Sequence, residues 1–338
     1  MIHVCYMTND GYCAPTAVSA VSVFENHRDE DVCIHVLTEF VSPENEKLLL
    51  QTAEPYPRGT VCLHNCDAYI RQIREEYRPT GWKGTCNAYL YMFMEEIFPD
   101  LDRILWIDGD TIIRRPLHEL WQTDLEGKLL GGVLDVPAFT SAWPDDPFYH
   151  TPFYFNGGVL LFNLEECRRR HIDAVLQRWV KKHGARFRFP DQTLFNLTVR
   201  PEDVVRLPLR YDFPVGMSNR VLSLVAGYHM PEKPTFSQES IQNERENAVI
   251  YHYIGGKLPT KPWFIECTIP GRDEYLHYRE RSPLAGSPLK TLKGKENPAM
   301  LLLSRIYDTV PSARFSRMMY RLRCRFKVPQ VPQGERIV

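Results

Sequence analysis

The sequence predicts an α/β protein built on one largely parallel sheet. Two observations carry that reading. Short apolar runs alternate with helical patterns through the first half of the chain, and polar clusters stand at the carboxyl ends of those runs, where open α/β sheets bind ligands. The elements follow in order: a strand over 2–7, a helix over 15–26, a strand over 32–38, a helix over 43–53 and a strand over 60–64. Residues 77–84 carry Pro and Gly punctuation around Trp82 and read as a loop. A helical pattern from Asn87 to Phe98 leads into the apolar run Arg103-Ile104-Leu105-Trp106-Ile107. The strand Leu129 to Leu134 ends at Asp135 and opens an irregular, Pro- and aromatic-rich stretch, 136–154, which reads as a lid or acceptor loop. Phe155 to Phe162 returns to the sheet, and Asn163 is placed to cap the following helix. Asp191-Gln192 after Pro190 opens another helix, and Ala248 to Tyr251 is the last strand, running into His252 and Gly255-Gly256.

At 338 residues the chain can bury a large core. It is expected to divide into a main α/β domain over 1–270 and a C-terminal extension over 271–338. No basic and apolar leader precedes the first strand, and no apolar stretch is long enough to span a bilayer, so a cytoplasmic protein is expected. The nine cysteines are an odd number, scattered singly apart from Cys62 and Cys66, which fits reduced thiols. Cys62-x-x-x-Cys66 lacks a second pair at zinc spacing and reads as structural.

The net charge of −1 conceals a division: from Gly286 to Val338 there are eleven Lys and Arg against three Asp and Glu. Within that tail Phe315, Met318, Met319, Leu322 and Phe326 fall at helical spacing, with Arg314, Arg317, Arg321, Arg323, Arg325 and Lys327 between them. A basic amphipathic helix over about 312–327 has three uses: lying on an anionic bilayer, packing on the protein body, or binding nucleic acid. Two phenylalanines in the stripe and the absence of a stacking platform favour the membrane, on the inner face of the cell envelope, and no nucleic acid is expected.

The most informative motif is Asp108-Gly109-Asp110, which places two carboxylates at the exit of the 103–107 strand. Hard oxygen ligands of this kind suit Mg²⁺ or Mn²⁺ carrying phosphate, and the glycine leaves room for close ligand approach. Asp29-Glu30-Asp31 and Asp100-Leu101-Asp102 share the spacing but not the context: one lies in a polar turn, the other precedes a strand. A histidine after a strand is usually structural. With two aspartates awaiting a third ligand, however, His252 completes a mixed N/O set that favours Mn²⁺ over Mg²⁺. Lys257 and Lys261 in the following glycine-rich turn can meet a diphosphate. Asp191 suits a helix N-terminus with or without a further role, and Asn156-Gly157-Gly158 serves a bulged strand as readily as close approach of a sugar. No Gly-x-x-x-x-Gly-Lys loop, nucleophile elbow or His-Glu-x-x-His is present, which removes the common ATPase, hydrolase and zinc-protease readings.

Together these residues resemble glycosyltransferase family 8, which contains glycogenin and the bacterial lipopolysaccharide galactosyl- and glucosyltransferases. The likeness covers residues 1 to 265 or so and rests on motifs in a fixed order. These are Met7-Thr8-Asn9-Asp10-Gly11-Tyr12, Leu105-Trp106-Ile107-Asp108-Gly109-Asp110, Phe155-Asn156-Gly157-Gly158-Val159-Leu160, Asp191-Gln192, and His252 with Lys261-Pro262-Trp263. The resemblance implies a GT-A α/β/α sandwich and retaining transfer of glucose or galactose from a UDP-sugar to a saccharide or lipid-linked saccharide. It implies Mn²⁺ on Asp108, Asp110 and His252, with Gly109 between the carboxylates. Met7, Thr8, Asn9 and Tyr12 would lie on the uridine side. Asp135, Asn156, Gly157, Asp191 and Gln192 would lie around the donor sugar, with Gln192 facing the anomeric carbon. Gly255 with Lys257 or Lys261 would lie on the phosphates. Tyr91 stands where the family usually carries an arginine, and Lys83 is the replacement at hand. The other readings are a self-glycosylating, glycogenin-like initiator and a non-catalytic binder of UDP-sugars.

Overall fold

The computed structural model describes residues 1–81, 84–135, 153–187, 190–216, 237–254 and 261–291. Lys83, most of the predicted lid, Gly255, Lys257 and the basic segment 312–327 lie outside them. The strands are β1 (Ile2–Asn9), β2 (Val32–Glu39), β3 (Gly59–Asn65), β4 (Arg103–Ile107), β5 (Thr111–Ile113), β6 (Leu130–Leu134), β7 (Phe155–Asn163), β8 (Val204–Leu207), β9 (Phe213–Pro214) and β10 (Ile250–His252). The helices are α1 (Cys13–Glu25), α2 (Pro43–Gln51), α3 (Asp67–Gln72), α4 (Met94–Ile97), α5 (His118–Trp121), α6 (Leu164–Arg169), α7 (Ile172–His183) and α8 (Pro190–Thr198), followed by Gln238–Glu246 and Arg272–Arg279.

Seven strands form the main sheet in the order β3-β2-β1-β4-β7-β6-β8, and β5-β10-β9 form a small second sheet. The sheet is parallel from β3 to β4, as the alternating pattern predicts; β7 then runs antiparallel to both β4 and β6. Strand β2 is buried at all eight positions, which is why its sequence lacks polar alternation.

Two helical layers cover the sheet, and β1 shows which covers which face. Its even-numbered side chains meet α1, with the Tyr6 hydroxyl 2.9 Å from Ser19 Oγ and Thr8 Oγ1 3.2 Å from Thr16 Oγ1. Its odd-numbered residues lie on the side where Phe98 sits edge-on to His35 of β2. Helix α1 is buried along nearly its whole length, because α2, the second sheet and Arg272–Arg279 also pack on it. Small hydroxyls permit that burial while supplying hydrogen bonds. Ser19 Oγ lies 3.0 Å from Thr111 Oγ1, and Ser22 Oγ accepts the Ile113 N–H at 2.9 Å, so α1 fixes β5 and with it the second sheet.

Some local expectations need correction. Asn87–Phe93 is a 3₁₀ segment, and only Met94–Ile97 is α-helical. Tyr89, Leu90, Tyr91, Met92, Phe93 and Met94 are all buried, so this stretch has no polar face to give to solvent and follows the core as a tight connector. Asn163 caps as predicted, its side chain accepting the Glu166 N–H at 3.1 Å. No helix of the described residues is long and apolar enough to cross a membrane.

The start of α7 holds a buried acid with a pH consequence. Asp173 Oδ2 accepts the Glu95 N–H at 2.8 Å, while its other oxygen is buried without a partner among the described residues. Burial pushes this carboxyl up to about 7, against the Glu95 backbone bond that favours its charge. An acid whose folded pKa lies above its unfolded value adds stability at low pH and loses it as pH rises through the folded value. Asp173→Asn is therefore expected to raise the melting temperature at pH 8 by roughly 3 °C and to change it little at pH 5. Thermal melts of both proteins across that range test this, and an equal shift at the two pH values would refute it.

Candidate active site and metal centre

The ends of β4 and β10 build the centre of the site. Asp108 leaves β4 with its N–H donating to Gly158 O of β7 at 2.8 Å, and its carbonyl accepts the Thr111 hydroxyl at 2.8 Å. The chain then turns into β5, where Thr111 pairs with His252 of β10, and Tyr253 N donates to Asp110 O at 3.0 Å. This backbone ladder brings the predicted ligands together. Single ligand atoms of Asp108, Asp110 and His252 lie within 4.8 Å of one another. His252 Nε2 stands 3.6 Å from Asp108 Oδ2 and 3.5 Å from Asp110 Oδ1.

One essential partner was invisible in the sequence. His252 Nδ1 donates to Asp212 Oδ1 at 2.7 Å, and both side chains are buried. A carboxylate behind an imidazole fixes its tautomer and aims the other nitrogen at a metal. Burial works against charge on His252, but Asp212 and then Asp110 outweigh it, raising the ring well above its ordinary value. Asp110 shows the same contest: burial raises it, and Lys261 followed by His252 overcome that and hold it below the usual carboxylate range. Asp108 keeps 37% of its side chain open and is pushed up, by enclosure and by the Asp110 charge. Two carboxylates and one oriented imidazole, crowded enough to perturb one another, are a donor set that fits a hard or borderline divalent cation. Lys261 ion-pairs with Asp110, and its Nζ also donates to Tyr253 O at 2.6 Å, so this lysine lies against the cluster.

The glycines have particular reasons. A Cβ on Gly109 would collide with Thr16 Oγ1, so this glycine lets α1 approach the turn. A Cβ on Gly158 would collide with the His252 ring; that glycine is what seats the imidazole.

Opposite the cluster, Gln192 is held at both ends of its amide. Its Oε1 accepts the Gly157 N–H at 3.2 Å, and its Nε2 donates to Asp135, which is buried. Asp191 is half-buried beside Gly157, and burial raises its pKa. Asn156 Oδ1 accepts the Gly158 N–H at 2.6 Å. Beneath them Tyr91 is fully buried, stacked on Trp106 at 4.1 Å, its hydroxyl donating to Gly157 O at 3.3 Å. The tyrosine thus supports the β7 backbone at Gly157.

On the remaining side, Tyr12 packs edge-on against Trp263 at 5.7 Å. Burial and then the charges of Asp110 and Asp108 raise its hydroxyl, which places it near the carboxylates. Thr8 is buried, its hydroxyl spent on Thr16 and on Asn9 O, while Met7 and Asn9 remain partly open. Asp10 turns away. Its Oδ1 accepts Ser42 N at 2.9 Å and Asn45 Nδ2 at 2.7 Å, tying down the start of α2.

Comparison with known proteins gives the fold and the family. General stress protein A of Bacillus subtilis (strain 168) is 23% identical, the match covering 82% of this chain and 93% of that protein. The lipopolysaccharide 1,2-glucosyltransferase of Escherichia coli is 22% identical over 85% of this chain and 80% of its own. Among solved structures, galactosyltransferase LgtC in complex with donor and acceptor sugar analogs superposes with a TM-score of 0.63 at 23% identity, covering 83% of this chain and 96% of LgtC. The WbbM bifunctional glycosyltransferase gives 0.67 at 19% identity, over 84% of this chain and 50% of WbbM, so the chain spans half of that protein. The fold is that of the GT-A glycosyltransferases. Residues 3–267 match glycosyl transferase family 8, and the chain belongs to that family.

Proposed function

We propose that this protein is a retaining, Mn²⁺-dependent hexosyltransferase that moves glucose or galactose from a UDP-sugar to a saccharide or lipid-linked saccharide hydroxyl. The observation that carries this reading is the cluster of Asp108, Asp110 and His252 facing the locked Gln192–Asp135 pair across Gly157 and Gly158. The names of the LgtC galactosyltransferase and the E. coli glucosyltransferase support the sugar class. Asp108, Asp110 and His252 would hold the ion, with Mg²⁺ as the alternative. When bound, Mn²⁺ neutralises the diphosphate and makes UDP a better leaving group.

The chain's own residues do the rest. Asp212 keeps His252 aimed, and Lys261 supplies positive charge beside Asp110; Gly255 and Lys257, outside the described residues, are assigned to the phosphates on the family motif alone. Tyr12, Asn9, Thr8 and Met7 flank the nucleoside. Asp135, Asn156 and Asp191 surround the sugar hydroxyls. Gln192 is an amide and a poor nucleophile, so it positions the sugar and stabilises positive charge at the anomeric carbon. The bond from that carbon to the β-phosphate oxygen breaks, the acceptor oxygen bonds on the same face, and the acceptor proton passes to the leaving phosphate. The basic segment 312–327 would bring the enzyme to an anionic lipid surface carrying such acceptors.

Release of UDP from UDP-glucose, UDP-galactose and UDP-galacturonate, measured with Mn²⁺ or with EDTA and without acceptor, tests this reading. Slow release from one hexose donor, stopped by EDTA, is expected. Absence of both release and Mn²⁺-dependent UDP binding would overturn it. Binding without turnover, even when saccharide acceptors are supplied, would indicate a non-catalytic protein.

A further inference from the structure

Strands β1, β2 and β3 carry a second group of imidazole and thiol side chains. Parallel register sets His3 of β1 beside Cys33 of β2, and His35 of β2 beside Cys62 of β3. Alternate residues share a face, so His3, Cys33, His35, Cys62 and His64 all project from one side of the sheet. It is the side opposite α1, and His3 lies about 20 Å along β1 from Asn9 at the catalytic end. His3 Nδ1 stands 3.0 Å from His35 Nε2, and His35 Nδ1 stands 3.0 Å from His64 Nε2. The sulfurs of Cys33 and Cys62 are 3.6 Å apart. Single donor atoms of His3, Cys33 and His35 lie within 4.8 Å of one another. Phe98 walls the group edge-on at 5.2 Å from His35 and 5.4 Å from His64. Cys33 and His35 are buried, whereas His3, Cys62 and His64 are half-exposed and leave a way in.

We propose that His3, Cys33 and His35, with Cys62 as the fourth donor, form a site for a thiophilic divalent ion of the Zn²⁺ type, with His64 orienting His35 from behind. A tetrahedral zinc ion with two sulfur and two nitrogen ligands places its sulfurs about 3.8 Å apart and its nitrogens about 3.3 Å apart; the sulfur pair and the nitrogen pair stand near that spacing here, and Cys62, outside the group whose donor atoms lie within 4.8 Å of one another, must swing toward the histidines to complete the shell. The His35–His64 contact is the usual arrangement in which the far nitrogen of a ligating imidazole is held by a hydrogen bond. Soft thiolates with imidazoles select zinc-like ions, in contrast to the carboxylate-rich catalytic cluster. The ion would clamp β1, β2 and the edge strand β3 together.

Cobalt distinguishes the two sites, because only one has thiolates. Untagged, reduced full-length protein is stripped with EDTA and titrated with Co²⁺. A near-ultraviolet thiolate-to-cobalt band with tetrahedral d–d bands is expected, retained in Asp110→Asn and lost in Cys33→Ser. One equivalent of Zn²⁺ should survive dialysis in the natural protein and in Asp110→Asn and be lost in Cys33→Ser. His3→Gln, at a half-exposed position, covers the case in which Cys33→Ser fails to fold and should weaken Co²⁺ binding at least tenfold. Absence of the thiolate band, or Zn²⁺ retention and Co²⁺ affinity unchanged in the variants, would overturn the proposal.

Discussion

Asp110→Asn is expected to lower metal-dependent UDP release by about 10³-fold or more while the protein stays folded. Asp110 is where the site's charges converge: one oxygen faces His252 Nε2 at 3.5 Å and the other pairs with Lys261. An amide keeps the shape but removes the charge and turns a donor toward either the cation or the lysine. The backbone does not depend on the carboxylate, since the Asp110 carbonyl that accepts Tyr253 N remains. A stability cost accompanies the loss, with a definite sign. Asp110 is held below the usual carboxylate range, so its contribution is present above the unfolded value and is lost only as pH falls through the folded one. The melting-temperature deficit of the variant should therefore be present at pH 8, as thermal melts alongside the release assay would show. Release within tenfold of the natural protein would remove Asp110 from the reaction centre.

Gly158→Ala is expected to cost at least 100-fold in UDP release and roughly 1–3 kcal/mol of stability. The added methyl would collide with His252 Cε1 and stand 2.8 Å from Nδ1 and 2.9 Å from Asn156 Oδ1. The ring has nowhere to go, because Nδ1 is bonded to Asp212 and the backbone is paired to Thr111. Mn²⁺ affinity should fall with activity, since the imidazole is what moves. Gly157→Ala supplies the contrast: its methyl would stand 3.1 Å from Asp191 Oδ2 and 3.4 Å from Gln192 Cβ, so turnover should suffer with metal affinity kept. Equal Mn²⁺ affinity in Gly158→Ala and the natural protein would contradict this account.

What could be read from the chain was whatever a local pattern records. The apolar runs became strands, their polar ends met in one place, and Asp108, Asp110 and His252 converged because each sits at such an end. Asp212 left no signal. It follows a 3₁₀ turn, Leu209–Tyr211, and only the pairing of β9 with β10 brings it behind His252. Asp10 sits inside a motif, yet its carboxylate serves α2, a contact between segments that spacing does not encode. Cys62 was read against Cys66, its neighbour in sequence. Sheet register instead sets it beside His35, with its sulfur 3.6 Å from that of Cys33, and Cys66 bonds the carbonyl of His64. The 87–98 stretch has helical periodicity, but burial on all sides lets packing choose a tighter path.

Because Thr111 directly follows Asp110 and is paired with His252, the spacing of Asp110 and His252 is set by a two-stranded ladder. An insertion within β5 or β10 would slide one strand along the other and carry His252 away from Asp110, so neither strand can change length without dismantling the cluster.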